Sequence, residues 1–140
     1  PWQHVLEPLS GYLWLGAKLW SDPGNLDGEA FNFGPGPQQD MTVADLLETM
    51  ANRWPGATWQ VPEGDAATER EATLLRLSCD KALRQLDWHA VMQFPSTVAL
   101  TIDWYRAWQD GGVDLHDFTV SQIEQYMDIA RAAGVSWSNE

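Results

Sequence analysis

The sequence predicts a helix-dominated α+β fold, and three observations carry that prediction. Five stretches place apolar residues at helical spacing between recognisable caps. Three or four short apolar runs suit brief strands better than helices. The breakers Gly34-Pro35-Gly36-Pro37, Pro55-Gly56 and Gly111-Gly112 separate these segments. The result is about five helices and three or four short strands in one domain, residues 1–140.

Taken in order, Trp2 to Val5 reads as a short extended piece. Pro8, suited to a first helical turn, opens a helix that runs to about Trp20. That helix is apolar nearly all round, through Leu9, Tyr12, Leu13, Trp14, Leu15, Ala17, Leu19 and Trp20, so it should be covered on more than one side. Ser21 to Gly28 is a loop, and Ala30 to Phe33 a short strand. Thr42 caps the next helix with Asp45 as an approximate capping box, and Val43, Leu46, Leu47 and Met50 form its buried stripe. Thr58 to Val61 is a further strand candidate, and Pro62 to Arg70 a polar, acidic loop.

The chain from Leu74 to Trp108 is the unit on which the rest should pack. Leu74 to Leu77 suits a strand, and Ser78 an N-cap for a helix from Cys79 to Leu86. Asp87 stands where a helix wants a left-handed residue, and Trp88 closes the corner. Phe94-Pro95-Ser96 starts another helix, with Val98, Ile102, Tyr105 and Trp108 as its stripe. A last helix, capped by Thr119 with Gln122 as partner, carries Ile123, Tyr126, Met127 and Ile129 and ends at Gly134.

Composition narrows the function classes. A chain of 140 residues can bury one real core, and 44% hydrophobic content is that of a folded protein. A net charge of −12 with eight scattered basic residues would repel a phosphate backbone, so nucleic acid is not an expected partner. No apolar run approaches a membrane span, which removes the membrane as a partner. The single cysteine allows no internal disulfide, and a cytoplasmic location is expected. The first residue is Pro1 and no signal peptide is read, so the start is taken as processed, cloned or renumbered.

Several motifs carry a family resemblance. Leu77-Ser78-Cys79-Asp80-Lys81-Ala82, Leu86-Asp87-Trp88 and Thr101-Ile102-Asp103-Trp104-Tyr105 resemble the C-terminal region of extended short-chain dehydrogenase/reductases acting on nucleotide sugars. The run Pro1-Trp2-Gln3-His4-Val5-Leu6-Glu7-Pro8-Leu9-Ser10-Gly11-Tyr12-Leu13 resembles the CDP-glucose 4,6-dehydratase subfamily in particular. Asn32-Phe33-Gly34-Pro35, and Thr119, Gln122, Ile123 and Tyr126 at their spacing, agree with it. The resemblance spans nearly all of this chain but only about the last two-fifths of a whole enzyme. The N-terminal NAD-binding Rossmann half is therefore expected to be absent.

That resemblance implies an NAD-dependent sugar-nucleotide dehydratase whose chemistry this sequence lacks. No Gly-rich strand-to-helix turn for a pyrophosphate occurs, and Gly11-x-x-x-x-Gly16-Ala17-Lys18 lies inside an apolar helix. Four residues after Tyr12, Tyr105 and Tyr126 come Gly16, Gln109 and Ala130, so no Tyr-x-x-x-Lys pair is present. No catalytic residue and no bound cofactor are expected in this chain, NAD belonging to the full-length enzyme.

What the resemblance leaves is part of a sugar-nucleotide pocket. An Arg that precedes the Pro-Trp-Gln-His run in the family would fall one residue before Pro1. Trp2, His4 and Glu7 would line or brace that wall, and Arg70 and Glu71 would supply a second contact. The subfamily has His and an aromatic residue where this chain has Arg70 and Leu74; Ser78 replaces Asp, and Asp87 replaces Gly. The expected ligand is a CDP-sugar, held weakly. Either the chain is a C-terminal portion of such an enzyme, or it is a stand-alone, non-enzymatic binding or assembly module derived from that fold.

The other conspicuous residues have plain structural readings. Cys79 near a helix N-terminus lacks an assisting His or Cys and reads as structural. His4, His89 and His116 show no metal-ligand spacing. Most of the nine Trp residues sit at stripe or corner positions and read as core, with Trp2 and Trp59 as the exceptions. In the family the Pro8–Trp20 helix packs against the nucleotide-binding half. Without that half its outer face should drive a homodimer or higher oligomer.

Overall fold

The computed structural model describes residues 2–22, 24–36, 39–60 and 77–138. Among the described residues five α-helices follow one another: α1 Leu6–Ser21, α2 Val43–Arg53, α3 Asp80–Leu86, α4 Phe94–Asp110 and α5 Leu115–Ala133, with a 3-10 turn at Ser136–Ser138. No helix among the described residues is long and apolar enough to cross a membrane.

Two apolar clusters hold these helices. In the larger, α1 gives Trp14, α3 gives Leu86, and α5 gives Tyr126 and Ala130, packed around Trp88, Phe33 and Trp137. The indole N–H of Trp14 donates to Leu86 O at 2.7 Å, tying α1 to the end of α3. Gly11 lets α1 lie directly on Phe33, because a Cβ there would stand 2.2 Å from the ring. In the smaller cluster the first half of α4 (Phe94, Val98, Ile102) meets Leu46, Met50 and Trp54 from the α2 region, and Trp2.

The expected strands are not there. Among the described residues the structure is helical with no strand, so the fold is all-α rather than α+β. A strand exists only as half of a ladder, and the extended segments here satisfy their backbone through side chains. Along Ala30–Phe33, Lys81 Nζ donates to Ala30 O and Gln3 Nε2 to Phe33 O, while Asn32 Nδ2 reaches Ser78 O. Trp2–Val5 runs directly into α1. Of Thr58–Val61 and Leu74–Leu77, Val61 and residues 74–76 lie outside the described residues, as does the acidic loop from Pro62; Thr58–Gln60 and Leu77 form no strand.

Local signals fare better at helix ends, with instructive exceptions. The Thr42–Asp45 capping box forms in full, with Asp45 N donating to Thr42 Oγ1 and Thr42 N to Asp45 Oδ2. Asp87 takes the left-handed conformation at φ 53°, with Trp88 N bonded to Ala82 O and Asp87 N to Leu83 O. Ser78 does not cap α3; Cys79 does, without a side-chain bond, and α3 starts at Asp80. Thr119 does not cap α5 either, because Asp114 starts that helix earlier by accepting from His116 N and Asp117 N. Of the α4 stripe, Val98 and Ile102 are buried, but Tyr105 and Trp108 are exposed because the α2 cluster covers only the first half of α4.

Asp87 is the one described non-glycine residue with positive φ. Asp87→Gly should relieve that conformation and raise stability by about 0.5–1 kcal/mol after the added unfolded-chain freedom is subtracted. Thermal unfolding should show a midpoint a few degrees higher. An unchanged or lower midpoint would mean that the Asp side chain makes a compensating local bond.

Candidate functional site

The residues expected at the nucleotide-sugar wall begin at the entry to α1, and their side chains diverge. Trp2 turns toward α2 and α4, its indole N–H donating to Met41 O at 3.0 Å. His4 is buried and lines a cleft of about 380 Å³ between residues 3–6, α4 and α5, walled by Trp104, Tyr105 and Ile123. Its Nδ1 accepts from Leu6 N at 3.3 Å, which leaves the proton of the neutral ring on Nε2. Burial pulls its pKa below the ordinary 6.5, so the ring is neutral at physiological pH. Arg70 and Glu71 lie outside the described residues. Within the described residues, then, Trp2, His4 and Glu7 do not share one pocket.

Glu7 points the other way, into the core, and is only 1% exposed. Its Oε1 accepts from Met92 N at 2.5 Å and Val91 N at 3.0 Å, and Oε2 accepts from the Tyr126 hydroxyl at 3.0 Å. Ser10, one turn along α1, donates to Glu7 O, accepts from Trp88 Nε1 at 3.0 Å and lies 3.0 Å from the Tyr126 hydroxyl. One carboxylate thus ties α1 to the chain between α3 and α4, and to α5. Reading the sequence finds Glu7 and Tyr126 separately but not their pairing. Their separation of 119 residues leaves no local signal.

A second cleft, about 510 Å³, opens between Gly34–Gly36, the start of α3 and the Trp88–Ala90 segment. Ser78, Cys79 and His89 line it, with the carboxylates of Asp40 and Asp80 and no Lys or Arg among its described lining residues. It abuts Leu77, the first described residue after Arg70 and Glu71 in the chain. Burial first, then the charge of Asp80, raises the Cys79 thiol above its ordinary value against an opposing backbone interaction at Gly34, so this cysteine is not an activated nucleophile. A cleft of this size accommodates a drug-sized ligand, typically ~300–1,000 Å³.

Comparison with known proteins supplies what the clefts alone do not. Over 128 residues the chain is 36% identical to CDP-glucose 4,6-dehydratase of Salmonella typhimurium. It is a relative of the C-terminal part of that enzyme. The match takes in 91% of this chain but 34% of the dehydratase, so the chain spans about a third of that relative's length. No family model matches the chain. In this dehydratase-like chain, Trp2, His4 and Glu7 all fall in the motif that first carried the resemblance, yet Glu7 is wholly engaged in holding helices together.

The Glu7 network has a pH signature. Desolvation is the largest influence on its carboxyl and raises its pKa above 4.5, against the opposing bonds from Met92 N, Tyr126 and Val91 N. Burial and the neighbouring Glu7 charge also raise the Tyr126 phenol, so it remains a donor at neutral pH. Because the folded carboxyl holds its proton more tightly than the unfolded one, its contribution is fully present below pH 4.5 and is lost as pH rises through the raised value. Glu7→Gln keeps an acceptor for residues 91 and 92 and should remove that part of the pH slope in urea unfolding. Glu7→Ala orphans two backbone N–H groups and should cost roughly 3 kcal/mol or more. Equal stability of the Ala and Gln variants would show that the network contributes nothing.

Proposed function

We propose that the chain is the nucleotide-sugar-binding portion of a CDP-glucose 4,6-dehydratase-like protein and is not catalytically competent alone. The observation that carries this reading is the 36% identity across 91% of the chain. The named activity of the relative needs a cofactor turn and a Tyr-x-x-x-Lys pair, and the 140 residues contain neither. The NAD of such an enzyme would be held by sequence outside these residues. A reducing cytoplasm suits the single free cysteine.

The ligand class that follows is a CDP-sugar, held weakly. Support comes from the cleft at Gly34–Gly36 and Ser78–Asp80, which has the size for such a ligand and polar groups at Ser78 and His89. The carboxylate of Asp80 on its lining opposes a diphosphate, which accords with weak binding. A second reading, a stand-alone oligomeric assembly module, is favoured by the exposed apolar side of α1, where Leu13 is 76% and Trp20 92% exposed.

Two titrations separate these readings. NAD(H), followed through tryptophan fluorescence, should show no saturable binding at micromolar concentration, and saturation there would overturn the claim of incompetence. Millimolar CDP should move the amide signals of Cys79, His89, Arg70 and Glu71. If those signals stay in place, the nucleotide reading fails and the assembly reading stands.

A further inference from the structure

The cleft between Gly34–Gly36, the start of α3 and Trp88–Ala90 has no residue of α1 on its described lining, yet one wall of it is fastened to α1. Glu7, Ser10, Gly11 and Trp14 recur at i, i+3, i+4 and i+7, so they share one face of that helix. Each meets a residue at or beside the cleft. The Trp14 indole donates to Leu86 O at 2.7 Å, at the end of α3. Gly11 lies against the Phe33 ring, next to the lining residue Gly34. Ser10 Oγ accepts from Trp88 Nε1 at 3.0 Å, and Glu7 accepts from Val91 N and Met92 N.

The wall concerned, Trp88–Ala90, has no regular structure of its own. From Trp88 to Gln93 the chain is neither helix nor strand, so no helix or sheet ladder holds it. Two anchors replace the ladder, one on each side of His89 and Ala90. Before them, the Trp88 side chain is fully buried, with its indole on Ser10 and its ring edge-to-face with Phe33 at 4.9 Å. After them, the Glu7 carboxylate takes the N–H groups of residues 91 and 92. Met92 O in turn accepts from Gln39 Nε2, and Gln39 precedes Asp40 on the lining. His89 itself is exposed, so its place depends on these anchors.

We propose that Glu7 and Ser10 are positioning residues for this cleft, setting the place of His89 and Ala90 through the anchors at Trp88 and Val91–Met92. The proposal rests on the nucleotide-sugar reading for its ligand, a CDP-sugar, which neither Glu7 nor Ser10 touches. A wall held from behind is ordered before the ligand arrives. A loose one must be ordered by binding, at a cost in affinity.

The nucleotide-free chain tests the positioning directly. Ser10→Ala leaves the buried Trp88 indole N–H without its acceptor, and should shift and broaden the amide signals of His89 and Ala90 with circular dichroism unchanged. In a CDP titration the same variant should bind roughly 3- to 10-fold more weakly, the cost of ordering a loosened wall on binding. Glu7→Ala should do likewise at the Val91–Met92 anchor, and Glu7→Gln, which keeps an acceptor there, should restore the wild-type affinity. Tyr126→Phe is the control for general stability, because it removes a donor to Glu7 but no anchor of the wall. It should lower the unfolding midpoint and leave CDP affinity unchanged. Unmoved His89 and Ala90 signals in Ser10→Ala, or equal loss of affinity in Ser10→Ala and Tyr126→Phe, would overturn the proposal. Failure of the wild-type chain to bind millimolar CDP defeats the nucleotide reading instead, and the His89 and Ala90 signals still decide the positioning.

Discussion

The fold depends on one buried carboxylate. Glu7 sits near the start of α1, yet its oxygens take two backbone N–H groups from the linker between α3 and α4 and the hydroxyl of α5's Tyr126. A carboxyl so placed is costly to desolvate, and the structure answers that cost with three donors and the adjoining Ser10–Trp88 contact. Because these donors come from different parts of the chain, they can be assembled only in one arrangement of α1, α3 and α5. The apolar cluster of Trp14, Leu86, Trp88 and Trp137 then fills the space the carboxylate has defined.

The same commitment explains why the N-terminal motif is not a pocket wall in a simple sense. Trp2, His4 and Glu7 alternate along the entry to α1, and each is drawn into a different environment: the α2–α4 cluster, an aromatic cleft and the polar centre of the core. A motif can thus resemble a ligand-binding enzyme's while its most acidic member serves architecture. The side of α1 that faces away from Glu7 is left apolar and exposed, with Leu13 at 76% and Trp20 at 92%.

Much of the local architecture was legible. The five helices lie where periodicity placed them, the Thr42–Asp45 box and the left-handed Asp87 are present, and Gly134 ends α5. These depend on contacts within a few residues, which a sequence displays directly. The strands were misread because an apolar run such as Ala30–Phe33 records burial and extension but not whether another strand lies alongside it. The caps of α3 and α5 were misplaced by one and five residues because several polar residues near each end could serve, and competition between them is decided by geometry.

What the sequence by itself determined is the class of chain: acidic, mostly helical, and related to the C-terminal part of CDP-glucose 4,6-dehydratase. Helix periods, caps and motif spacing are short-range properties, so they survive being read in one dimension. Only the tertiary structure decided that Glu7, Ser10, Trp88 and Tyr126 form one network, that His4 looks into an aromatic cleft, and that Trp20 stands in solvent. Those outcomes join residues up to 119 positions apart, and the cost of burying a carboxyl is reduced only where such distant donors converge.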